Sequence, residues 1–187
     1  MSKKIYYLPG HGGQLTTGLG EALISRGFGI YGRETRGDFK KLRFMEQAHL
    51  ISDDLTRDFY GPDDLVIANS YGAYLFLHAQ SLIPALKGKV ILLSPIVGEF
   101  SDADNTGLGF IPPYAERLFD LAQRGELPAP AHCEIHVGEN DWQSRPENVK
   151  RLGELLGVGV FVVPEAGHML PRSYVSDLLD RWLTWHL

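Results

Sequence analysis

The chain repeats one arrangement: a short apolar run, a polar loop, then a stretch with helical spacing. The apolar runs cover residues 5–8, 28–31, 65–68, 90–93, 133–137 and 160–163. Four-residue runs without polar alternation are strands covered on both faces. Between them, Phe44, Ala48, Ile51, Leu55 and Phe59 recur at helical spacing. Helices are predicted over 17–26, 44–59, 71–83, 113–124, 146–156 and 173–185, with Pro146 at a favourable first-turn position. Gly27, the 61–64 stretch GPDD and the 128–130 stretch PAP act as breaks. Strands alternating with helices, without hairpin turns, imply an α/β fold. The expected architecture is a three-layer sandwich of about six mostly parallel strands, with helices on both faces. At 187 residues, without repeat or linker, residues 1–187 are expected to form a single domain.

Several function classes are disfavoured at once. A net charge of −5, with only paired lysines at 3–4 and 40–41, has the wrong sign for a nucleic-acid binder. No run approaches the roughly 18 apolar residues of a membrane span, and the apolar stretch near the N-terminus is too short for a signal peptide. A lone cysteine, Cys133, excludes an internal disulfide and fits a reducing compartment, so a cytoplasmic location is expected. No His-x-x-x-His or carboxylate–histidine cluster suggests a metal, and no cofactor is expected.

In an open parallel sheet, ligands sit beyond the carboxyl ends of the strands. His11-Gly12-Gly13 follows the first strand, Asn69-Ser70-Tyr71-Gly72 the third, Gly138-Glu139-Asn140-Asp141 the fifth and Ala166-Gly167-His168 the sixth. A serine, an aspartate and a histidine thus converge on one edge, in that chain order. Taken alone, Ser70 is either a helix-capping residue or a nucleophile on a sharp turn. A serine hydroxyl needs a nearby base, and imidazole can take its proton and return it to the leaving group. The base in turn needs an acid on its other nitrogen. Asp141 is either that acid or an Asx-turn residue capping the next helix. PGHGG lacks both the Lys-Ser/Thr ending of a P-loop and the spacing of a dinucleotide site.

The order Ser…Asp…His and the motifs PGHGG, NSYG, GENDW and EAGHM resemble the α/β-hydrolase superfamily over nearly the whole chain, from about residue 5 to 187. The short length is most similar to its cap-less serine hydrolases, such as the retinoblastoma-binding-protein-9-like group. The resemblance implies a nucleophile elbow at Ala68-Asn69-Ser70-Tyr71-Gly72, with alanine where the G-x-S-x-G pattern has its first glycine. It implies Ser70, Asp141 and His168 as catalytic residues, with Asp102 and Asp104 as rival positions for the acid. It assigns the oxyanion hole to the amides of Tyr71 and Gly13, and gives His11 a structural place in the loop. The remaining histidines, His49, His78, His132, His136 and His186, read as surface or core residues.

The 94–112 segment lies where the family inserts a cap and is too short for a full one. A shallow, mostly apolar pocket is therefore expected. Its substrate-binding wall would include Gln14, Phe110, Trp142 and Met169, beside Leu15, Phe100, Leu108, Ile111 and Leu170. Arg33, Arg36 and Arg43 follow the second strand and read as solvated charge before they read as anion-binding groups. The expected function is hydrolysis of a small acyl ester through an acyl-enzyme on Ser70. Thioester cleavage or acyl transfer by the same triad is one alternative, and a non-catalytic interaction module on the same fold is another. The expected partner is a small-molecule acyl substrate, not nucleic acid or a membrane. Oligomeric state is not written in the sequence.

Overall fold

A computed structural model of the chain describes residues 3–98 and 112–183. One sheet contains β1 (Lys4–Leu8), β2 (Gly29–Gly32), β3 (Leu65–Asn69), β4 (Lys89–Leu93), β5 (His132–Gly138) and β6 (Gly159–Val163). Each coincides with an apolar run read from the sequence to within a residue at either end. The order is β2-β1-β3-β4-β5-β6, and every pairing is parallel. The chain starts inside the sheet, steps out to β2, returns to β3 and then walks to the other edge. The direction of winding therefore reverses between β1 and β3, which opens a crevice at their carboxyl ends.

The helices are α1 (Leu19–Ile24), α2 (Gly37–Lys41), α3 (Phe44–Asp58), α4 (Tyr71–Gln80), α5 (Arg117–Gln123), α6 (Pro146–Leu156) and α7 (Arg172–Leu183). α1, α4 and α5 are shorter than the sequence predicts. For α4 the cause is local. Pro84 disfavours helical backbone at Ile83, and the Gln80 side chain donates back to Pro84 O at 3.0 Å, closing the chain into a turn. α2 has no counterpart among the predicted elements, since GDFKK is too short to display a helical period.

Strand residues alternate between two apolar layers. Tyr6, Leu8, Val66, Ala68, Val90, Leu92, Ile135 and Val137 face α3, α4, α5 and α6. Ile5, Tyr7, Leu65, Ile67, Ile91 and Leu93 face Leu23 of α1 and Leu178, Leu179 and Trp182 of α7. Helices thus cover both faces of a rigid sheet, and the loops at its carboxyl edge are held from below. Phe100, Leu108, Phe110 and Ile111 of the expected pocket wall, the rival acids Asp102 and Asp104, and His186 lie outside the described residues. Among the described residues no helix is long and apolar enough to cross a membrane.

Candidate active site

Ser70 is the one residue between the end of β3 and the start of α4. It adopts φ 53° and ψ −119°, a region that costs a non-glycine residue about 1–3 kcal/mol and persists only when its surroundings enforce it. The enforcement is visible. The Ser70 N–H donates to Leu93 O of β4 at 2.8 Å, and its carbonyl accepts the Tyr74 N–H at 3.1 Å. The side chain makes no capping bond to its own helix. Instead Oγ lies 2.8 Å from Nε2 of His168. Of the two readings open at Ser70, capping is the one the geometry discards.

The turn also explains the departure from G-x-S-x-G. A Cβ on Gly72 would lie 2.3 Å from Leu8 O and 2.4 Å from Pro9 O, so only glycine lets α4 pass over the end of β1. Ala68 sits two residues before Ser70 in the buried strand, and its methyl group packs into the apolar layer beneath α4. The close approach is at the second glycine of the motif, not the first.

Asp141 and His168 come from the loops after β5 and β6. These loops are laced together: the Glu139 N–H donates to Val163 O at 2.9 Å and the Asn140 N–H to Ala166 O at 2.8 Å. A Cβ on Gly138 would meet Gly167 O at 2.2 Å, so glycine is again what permits the contact. His168 Nδ1 lies 3.0 Å from both carboxylate oxygens of Asp141. An ionised carboxylate only accepts hydrogen bonds. This assigns the proton to Nδ1 and leaves Nε2 as the acceptor facing the Ser70 hydroxyl.

Asp141 is 2% exposed. Burial alone would raise its pKa. The bond from His168 and the backbone N–H groups of Ser144 and Gln143 outweigh burial and hold the carboxyl below its ordinary value. Oδ1 accepts those two amides at 2.9 and 3.0 Å. That is the Asx-turn read from the sequence, so one side chain both makes the turn and holds the histidine.

Ser144 is a residue that sequence reasoning missed. It is fully buried. Its hydroxyl donates to Ser94 O at 2.7 Å, and its oxygen lies 3.3 Å from His168 Nδ1. Its spacing of three from Asp141 is the signal that could have found it, since an Asx-turn delivers its third residue beside the carboxylate.

The first-turn amides of α4, including that of Tyr71, open toward the helix N-terminus, where developing negative charge is stabilised. The expected partner donor needs correction. The Gly13 N–H donates within its own neighbourhood, to Gly10 O at 2.9 Å and Thr35 Oγ1 at 3.0 Å. The Gly12 N–H donates to Thr35 O at 3.1 Å. The loop approaches Ser70 earlier, at Gly10: a Cβ there would lie 3.4 Å from Ser70 Cβ and 3.8 Å from Oγ. The next peptide N–H along the loop is that of His11, whose ring packs edge-on to Tyr71 at 5.6 Å.

An open cleft of about 240 Å³ adjoins these two residues. Leu42, Phe44, Tyr71 and Pro113 form its apolar wall, and His11, Thr35, Lys40 and Gln47 its polar one. Gln14, Trp142 and Met169 do not line it. Trp142 is 47% and Met169 88% exposed, on the loops that carry Asp141 and His168. Arg33 is held by Asp54 at 2.6 and 2.8 Å, and Arg36 by Glu34 at 2.8 Å. Among the described residues no three His, Cys, Asp or Glu side chains are grouped as metal ligands.

No protein-family model matches this chain, and no curated protein matches it in sequence. Solved structures do match it in shape. A monoacylglycerol lipase from Paleococcus ferrophilus superposes with a TM-score of 0.67 at 19% identity, covering 98% of this chain and 95% of its own. An α/β hydrolase enzyme from a sediment metagenome of the Mar Chica lagoon, Morocco, gives 0.66 at 18% identity over 99% of this chain and 90% of its own. A structure from a study of carboxylesterases of the thaumarchaeon Nitrososphaera gargenis gives 0.64 at 14% identity over 98% and 90%. The six-stranded parallel sheet with its flanking helices is the α/β-hydrolase fold.

Proposed function

We propose that this protein is a serine hydrolase that cleaves a small carboxylic ester through an acyl-enzyme on Ser70. One observation carries the reading: Ser70, held on a positive-φ turn, is joined through both nitrogens of His168 to a buried, ionised Asp141. His168 Nε2 takes the hydroxyl proton as Oγ attacks the carbonyl carbon. Asp141 fixes the tautomer and stabilises the imidazolium. The tetrahedral oxyanion lies at the N-terminus of α4, against the Tyr71 amide, with the His11 amide as second donor in place of Gly13. His168 returns the proton to the leaving alcohol, then activates the water that releases the acid. A lipase and carboxylesterases among the structural neighbours support an ester as substrate. Within the fold we place the chain with compact, single-domain members resembling the retinoblastoma-binding-protein-9-like group, working in the cytoplasm on a small acyl substrate without cofactor.

The test is hydrolysis of 4-nitrophenyl esters of graded chain length by wild type and Ser70→Ala, with fluorophosphonate labelling in parallel. The expected result is turnover and labelling in the wild type, with loss of both in the variant. A wild-type protein that neither labels at Ser70 nor turns over any ester overturns the reading. A loss of ester turnover with retained folding, monitored by circular dichroism, isolates the chemistry.

A further inference from the structure

Among the described residues, the cleft adjoining His11 and Tyr71 is lined by one formally charged side chain, Lys40, and by no carboxylate. That is unusual for its surroundings. Three nearby cations in sequence are paired: Arg33 with Asp54, Arg36 with Glu34 and Lys41 with Asp38 at 2.7 Å. The Lys40 backbone N–H donates to Arg36 O at 3.4 Å, and its side chain makes no hydrogen bond or ion pair among the described residues. In a chain of net charge −5, this leaves a local positive potential at the mouth of one cleft. The charge is felt at His11, in the loop that approaches Ser70. Together with burial, the Lys40 charge disfavours protonation of His11, the residue that follows Gly10 beside the nucleophile.

Resting on the serine-hydrolase reading, we propose that Lys40 selects the substrate: a short ester carrying an anionic group, carboxylate or phosphate, a few carbons from the scissile carbonyl. The spacing follows from the lining. The apolar wall of Leu42, Phe44, Tyr71 and Pro113 gives a carbon chain its contact, and Lys40 lies at the cleft's exposed rim. The length follows from the volume. About 240 Å³ is below the roughly 300–1,000 Å³ of sites for drug-sized ligands, so the part of the substrate that the cleft covers is short. A long neutral acyl chain satisfies neither feature. Lys40 is exposed, so its attraction is a screened one and acts on the ratio between substrates.

The experiment compares kcat/KM for mono-4-nitrophenyl adipate with that for its neutral methyl ester, in wild type, Lys40→Glu and Lys41→Glu. A second arm places the charge on the alcohol side, comparing butyrate esters of 4-hydroxybenzoate and 4-hydroxybenzamide. A third replaces that carboxylate by a phosphate monoester. Wild type is expected to favour the charged member of at least one pair roughly fivefold. Lys40→Glu should invert that preference. Lys41→Glu makes the same change in net charge outside the cleft, and should leave the ratio as in wild type. The preference should shrink as salt is raised from 20 to 500 mM. Equal kcat/KM within each pair, or a preference that survives Lys40→Glu, overturns the inference while the hydrolase reading stands. A protein inert toward every ester and unlabelled at Ser70 overturns both.

Discussion

Among the described residues, two places string a hydroxyl, an imidazole and a carboxylate together. At the carboxyl edge of the sheet the chain is Ser70–His168–Asp141. On the face covered by α7 it is Tyr174–His136–Glu134, with the Tyr174 hydroxyl 2.8 Å from Nδ1 and Glu134 3.3 Å from Nε2. The residue classes match, yet the surroundings give them opposite uses. His136 is fully buried and stacked on Phe161, with ring centroids 4.9 Å apart. Burial dominates there and pushes its pKa down; Glu134 works against that shift, and Arg181 adds to it. Burial likewise raises the pKa of the Tyr174 phenol. That group stands on the regular helical backbone of α7, with no positive-φ turn to present it. A triad is therefore set by what surrounds the hydroxyl and the base, and the three residue types alone do not make one.

The strongest way to break this comparison is to alter both acids. Asp141→Asn should lower kcat by roughly 10³–10⁴-fold with the fold retained, because an amide no longer fixes the Nδ1–H tautomer or stabilises the imidazolium. Glu134→Gln should leave kcat within about twofold. Ester kinetics on both variants check this. If Glu134→Gln fell as far as Asp141→Asn, the second chain would belong to the chemistry, and the reading of its surroundings would fail.

The next effect concerns protons. His136 has a lowered pKa in the folded state, and His78, buried beside Arg117, is pushed down to about 3. Unfolded, both titrate near their ordinary value of 6.5. Below that value the unfolded chain binds protons that the folded chain refuses. Their contribution to stability is thus present above pH 6.5 and is lost as pH falls toward the folded values. Each such histidine approaches a slope of about 1.4 kcal/mol per pH unit. Urea unfolding of wild type between pH 7 and 5 should show this decline, and His136→Gln should flatten it by one histidine's share. A wild-type curve that is level across this range would mean that His136 accepts a proton in place, as His168 is arranged to do.

Much of this was legible in the sequence for a physical reason. A strand buried on both faces must be apolar throughout, so all six strands stand out as runs, and residues just past such runs must lie on one edge of a parallel sheet. Ser70, Asp141 and His168 are placed on that edge by this reasoning, and the structure brings their side chains within hydrogen-bond reach. Three things were not legible. In PGHGG the glycines look alike, and only the fold shows that the loop meets Ser70 at Gly10 while Thr35 engages Gly13. α2 is too short to declare a period, so nothing in the sequence marks Lys40 and Leu42 as the lining of a cleft. Ser144 depends on a turn that brings a residue back beside the Asp141 carboxylate, and its spacing of three from Asp141 points to it only once that Asx-turn is known to form.

Ser144 also sharpens the comparison, because the described contacts of His136 contain no equivalent of it. Its hydroxyl donates to Ser94 O, which leaves an oxygen lone pair for the His168 Nδ1–H as a second, weaker acceptor beside Asp141. Ser144→Ala keeps the backbone amide that Asp141 accepts and removes only the hydroxyl. The imidazolium then loses one acceptor, so the acid limb of kcat/KM should move to lower pH. Leaving Ser94 O without its donor should also loosen the loop and reduce kcat by roughly three- to tenfold, the scale of one hydrogen bond. A purely structural role would reduce stability and leave the pH profile where it was. The profile of Ser144→Ala, with Ser144→Thr as the variant that restores the hydroxyl, separates the two. An unmoved acid limb in Ser144→Ala would confine the positioning of His168 to Asp141 alone.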